Sequence, residues 1–165
     1  MRLSGFLAGL LLMILPLSQV SNFAKKRELY QLKIYHLKDS NQRERLETYF
    51  KQAYLPALHH AGIGKVGVFK LAGDVDSLVY VLIPFKSADP FSTLSDKMAN
   101  DKSYLAAGED YLNTSFENPV FKNIESIFME AIVGMLMLQV PAHKSDPAET
   151  IYELRRYEAA SEKAA

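Results

Sequence analysis

The chain has 165 residues, which suits one domain or one and a fragment, and a hydrophobic content of 48% provides a core to bury. Nineteen basic and nineteen acidic residues cancel, which removes the overall field that would recruit nucleic acid or anionic lipid. The absence of cysteine excludes disulfides, thiol catalysis, Cys-ligated zinc and iron–sulfur clusters, and four histidines are all that imidazole chemistry can draw on.

The N-terminus differs in kind from the rest. "MRLSGFLAGLLLMILPLSQVSNFA" has one positive residue, Arg2, and then an apolar run from Phe6 to Leu17. That is the length of a signal-peptide core and too short for a comfortable membrane span. Pro16 would break a helix ahead of a polar stretch. No A-x-A site follows; Ser18 and Val20, with a cut near Ser21 or Ala24, are the options. Lys25, Lys26 and Arg27 place more positive charge after the run than before it, against the usual orientation bias. We read residues 1–24 as a signal peptide, with an uncleaved anchor as the alternative. The protein is then exported, periplasmic or secreted, and meets a membrane only through that segment.

A domain over 25–135 follows. "ELYQLKIYHL" (residues 28–37) is β-rich, with Tyr30, Leu32, Ile34 and His36 on one face and Gln31, Lys33 and Tyr35 on the other. Asn41 with Glu44 has the form of a capping box. The helix it opens runs to about Leu58, with Leu46, Tyr49, Phe50, Ala53 and Ala57 at helical spacing, a kink or a tightened last turn expected at Pro56 and Gly62 as the residue past its end. "KVGVFKLAG" and "DSLVYVLIPF" are two strands joined at Gly73-Asp74-Val75, the second apolar on both faces and therefore central. Asp89 and Pro90 have the character of a helix cap and first residue, with Phe91, Leu94 and Met98 on one face. A shorter helix from Asp101 to Asn113, a fourth strand in "IESIFMEAIV" and a proline-punctuated linker over 136–149 complete the pass.

The order β-α-β-β-α-β is the ferredoxin-like arrangement of the α+β class: a four-stranded antiparallel sheet with both helices on one face. Its other face is left bare, and alternation offers Tyr35, Phe69 and Phe85 among the residues on it. A bare apolar face marks an interface, and two such sheets packed together would bury it. A homodimer through the open sheet face is the expected assembly.

Near the C-terminus the opening pattern returns. Tyr30, Leu32, Lys33 and Tyr35 match Tyr152, Leu154, Arg155 and Tyr157 at a constant offset of 122 residues. Residues 150–165 are expected to be the first strand of an incomplete second copy, with a helix opening at Ser161, or else an arm on a neighbouring sheet edge.

"ELYQLKIYHL", "YLPALHHAGIGKVGVF" and "LVYVLIPFKSADPF", in this order and spacing, closely resemble a NIPSNAP domain over most of residues 28–133. "YELRRYE" resembles the opening of that family's second domain. The resemblance implies a dimeric α/β barrel, in which two ferredoxin-like units pack sheet against sheet. Eukaryotic members of the family are associated with mitochondria, vesicle handling and mitophagy signalling, and the family transfers no catalytic motif. The wider dimeric α/β-barrel group includes cofactor-free monooxygenases and haem-handling proteins, which implies a pocket between sheet and helices as the place for a small-molecule ligand.

Individual residues add little chemistry. His59 and His60 point about 100° apart on a helix, so they cannot grip one metal, and they suit its C-terminal carbonyls. His143 falls in the linker, and Asp74 and Asp76 lack the later ligands of a calcium loop. Glu125 and Glu130 fall on opposite faces of the fourth strand, and one of them is placed to meet Lys33. Tyr35, His36 and Tyr80 are the candidates for a ligand pocket, His36 being the one candidate catalytic group. No phosphate-binding glycine loop, G-x-S-x-G or HExxH is present, and no metal or cofactor is expected. The expected role is a self-associating or small-molecule-binding module; the alternative is a cofactor-independent monooxygenase or haem-handling enzyme.

Overall fold

The computed structural model describes residues 26–73, 77–140, 150–157 and 160–161. The expected signal segment, the turn at 74–76, His143 with the linker stretch 141–149, and the helix expected beyond Ser161 lie outside the described residues. Four strands, β1 (Leu29–His36), β2 (Gly67–Lys70), β3 (Leu78–Phe85) and β4 (Asn123–Glu130), form one antiparallel sheet in the order β2-β3-β1-β4. The two β-α-β units therefore interleave, and the ferredoxin-like fold read from the element order is the one the chain adopts.

Helix α1 (Ser40–Tyr49) is capped by Asp39, whose carboxylate accepts from the Gln42 N–H at 3.0 Å. Gln42 reaches back to accept from the Lys38 N–H at 2.7 Å and donates to the Pro119 carbonyl at 2.7 Å, which satisfies its buried amide. The cap thus lies two residues before the expected Asn41, because Asp39 can satisfy a first-turn donor while Gln42 ties the turn to the loop ahead of β4. Pro56 leaves its mark differently from a simple kink. Phe50–Tyr54 widen into a π-helical turn, with the Leu55 N–H donating to the Phe50 carbonyl, before α2 (Leu55–His60) resumes. Gly62, at φ +89°, closes the helix with the Gly62 N–H on His59 O and the Ile63 N–H on Leu58 O, both at 2.9 Å.

The second helical segment is cut into three. α3 (Ala88–Ala99) starts two residues earlier than the Asp89 cap predicted, with Ser87 at the N-cap position. α4 (Lys102–Ala107) is capped by Asp101, and α5 (Glu109–Leu112) follows a break at Gly108. Arg45 pins α5 to α1, donating to both carboxylate oxygens of Asp110 at 3.0 and 3.2 Å and to the Asn118 carbonyl at 3.0 Å.

The core lies between the helices and one sheet face. It takes Tyr35, Val79, Val81, Ile83 and Phe85 from β1 and β3, all odd-numbered, against Leu46, Tyr49, Phe50, Tyr54 and Leu58. Tyr35 and Phe85, each 1% exposed, are therefore on the helix side and not on the bare face where the sequence placed them. Alternation sorts a strand into two sets, but which set meets the helices is decided by their packing. Phe69, paired with Tyr80, is on the open side as expected. Residues 150–157 carry no regular structure; Tyr152 rests its ring 5.1 Å from that of Phe69.

Candidate functional site

On the helix side, β1 and the helices enclose a cluster of phenols. Tyr49 stacks on Tyr111 at 3.7 Å between ring centroids and shares a 2.9 Å hydroxyl–hydroxyl hydrogen bond with Tyr104. Tyr35 meets Phe50 and Phe121 edge-on, at 5.2 and 6.1 Å. Burial pushes the phenols of Tyr35, Tyr49, Tyr54 and Tyr104 up, and that of Tyr111 to about 12. All five remain protonated at any physiological pH, so they act as donors and apolar walls and not as bases.

Lys33 stands among them. Its ammonium lies 5.1 Å from the centre of the Tyr54 ring, a cation–π contact. No carboxylate among the described residues pairs with it: Glu125 turns to His36, and Glu130 turns to Arg27 at 2.9 Å. This corrects the expected Lys33–glutamate bridge. Glu125 shares the open face with His36, whereas Lys33 is on the other side of the sheet. Burial lowers the pKa of the Lys33 amine.

The open side presents the even-numbered residues of the two central strands. Tyr30, Leu32 and Ile34 pair across with Pro84, Leu82 and Tyr80, and on the other flank with Met129, Ile127 and Glu125. Leu32, in the middle, is 6% exposed yet belongs to no part of the helix-side core. Gly67 lets the Phe69 ring fold over it: a Cβ there would sit 2.5 Å from that ring. At one end of the face, His36 Nε2 and Glu125 Oε1 approach to 2.6 Å.

The structure thus separates the three sequence candidates. His36 and Tyr80 share the open face, while Tyr35 is buried behind it. His60 meets Asp101 at 3.3 Å beside a surface hollow of about 120 Å³, smaller than the roughly 300 Å³ of a ligand pocket. Among the described residues no cluster of His, Asp and Glu is arranged to hold a metal, and no helix is long and apolar enough to cross a membrane. Lys33 and Tyr104, which the structure gathers into this cluster, were not among the sequence candidates for a pocket. The available signal was a lysine in phase with the buried Tyr35.

No family model matches the sequence, and no curated protein matches it. Among solved structures the chain is similar to a NIPSNAP family protein of unknown function from Agrobacterium tumefaciens, at 16% identity and a TM-score of 0.49, over 65% of this chain and 90% of that one. It is similar to a dimeric protein of unknown function and ferredoxin-like fold from Bacteroides fragilis, at 14% identity and a TM-score of 0.43, over 63% of this chain and 96% of that one. It is also similar to SnoaB, a cofactor-independent oxygenase from Streptomyces nogalater, at 10% identity and a TM-score of 0.44, over 64% of this chain and 93% of that one. NIPSNAP family proteins, the family whose domain the segments from Glu28 onward resemble, are thus among the solved structures similar to this chain.

Proposed function

We propose that the chain is a self-associating module whose open sheet face packs against that of a second copy, closing a barrel from two ferredoxin-like units. One observation carries this reading: Tyr30, Leu32, Ile34, Leu82 and Ile127 form an apolar surface to which the helix-side core contributes nothing. Three strands of eight residues and one of four, about 4.8 Å apart, give the face a footprint of roughly 450 Å². Two copies would bury roughly 900 Å² in total from the sheets alone, just under the lower edge of specific interfaces. Ile132, Val133, Met135 and Met137, exposed just beyond β4, extend the apolar area available to a partner. The His36–Glu125 pair supplies a polar rim. The N-terminal apolar run supports placing this module outside the cytosol. The enzyme alternative loses the pairing of His36 with Tyr35, which the sheet separates.

Native mass spectrometry of the purified chain tests the reading. A dimer is expected, and Ile34→Glu should convert it to a folded monomer by putting a charge in the middle of the apolar contact. A wild-type monomer, or a dimer indifferent to Ile34→Glu, would overturn it.

A further inference from the structure

The helix layer does not cover the whole of its side of the sheet. On β4 the helix-side residues Ser126 and Phe128 remain exposed, Phe128 by 50%. Opposite them on β1 are Lys33 and Gln31, both partly buried. This uncovered strip is bounded at one end by Phe91 of α3, whose ring lies 4.6 Å from that of Phe128. The Tyr54 ring and the Lys33 ammonium meet beside it, 5.1 Å apart.

We propose that this strip, centred on Lys33, binds a small anion with an apolar ring-containing body, of the aromatic carboxylate class, with the Lys33 ammonium as its anchoring cation. The chemistry of the donors supports an anion. Lys33 is partly withdrawn from water with a ring face as its contact and no carboxylate among the described residues beside it. A cation in that position gains from a charge-assisted hydrogen bond that no carboxylate among the described residues supplies. Gln31 Nε2 donates to Ser126 Oγ at 2.8 Å, which leaves the Ser126 hydroxyl proton free to donate onward. Phe91 and Phe128 offer apolar faces for a ring at the same end. Burial lowers the pKa of the Lys33 amine, and a bound carboxylate would raise it again, so affinity should fall as pH rises through that pKa. The strip faces away from the proposed dimer contact, so the two readings stand or fall separately.

The probe is 2-naphthoate, with neutral 2-naphthalenemethanol as its isostere, titrated into the whole chain and followed by NMR of reductively ¹³C-methylated lysines. Saturable binding of naphthoate that moves the Lys33 resonance is expected, with the alcohol and the Lys33→Gln variant each weaker by about 10- to 100-fold. Lys33→Arg should retain most of the binding. The titration on wild-type protein needs no variant to fold. Equal binding of acid and alcohol, naphthoate binding that leaves Lys33 unmoved, or no saturable binding at millimolar naphthoate would each overturn the proposal. Ile34→Glu, which acts on the other face, should leave naphthoate binding unchanged.

Discussion

The two faces of this sheet are built from the same strands and obey different rules. Along β3, Val79, Val81, Ile83 and Phe85 disappear into the core, while Leu78, Tyr80, Leu82 and Pro84 remain partly open. Both sets are mostly apolar, so composition does not tell them apart. What differs is the element that packs above them: helices on one side, and on the other, among the described residues, no helix or strand. A strand that is apolar on both faces thus signals two burial events, one completed within the fold and one that the proposed association would complete.

Neighbouring positions give the largest test of that difference. Val81→Asp puts a carboxylate into the helix-side core, where 0% of the native side chain is exposed, and should abolish folding. Leu82→Asp, one residue on and on the other face, should leave far-UV circular dichroism intact and dissociate any dimer. Equal loss of structure in both variants would mean that the open face is already committed within the monomer.

Alkaline pH sharpens the comparison next. Five helix-side phenols have pKa values raised above the usual 10.0, so the folded chain holds protons that the unfolded chain releases. The sign follows: their contribution is intact below pH 10 and is lost as pH climbs above it, by up to about 1.4 kcal/mol per pH unit for each phenol. Lys33, with a lowered pKa, acts in the opposite sense, but it is one group against five. Urea unfolding between pH 8 and 11 should show stability falling steeply from about pH 10. A flat profile would mean that the cluster is open to water.

The smallest effects contrast two polar contacts. Tyr49→Phe removes one member of the buried Tyr49–Tyr104 hydroxyl pair and should cost about 1 kcal/mol in urea unfolding. His36→Asn breaks a half-exposed pair with Glu125 on the open face and should cost about 0.5 kcal/mol or less. A larger cost at His36 would give the open-face rim a structural weight that its exposure does not suggest.

Much of this was legible in the chain. Leu46, Tyr49, Phe50, Ala53 and Ala57, chosen by helical spacing, are all buried, and Gly62 closes its helix with a positive φ. These features depend on neighbours within a few residues. Others depended on contacts across the fold. Asp39 outcompetes Asn41 as the cap because Gln42 is held by Pro119, 77 residues away. The π-helical turn at Phe50–Tyr54 could not be read from Pro56 alone, since a kink or a tightened turn would accommodate the missing N–H as well.

The amino-acid sequence by itself determined the order of elements, the two alternating sets on each strand and the apolar character of both, because period and propensity are local properties. Only the tertiary structure decided which set is core and which is surface. It placed Tyr35 behind the sheet and His36 in front, turned Glu125 to His36, and left Lys33 among rings with no carboxylate from the described residues beside it. Those outcomes rest on which face the helices cover, and helix–sheet packing is a choice made by the whole core at once and not by any one strand.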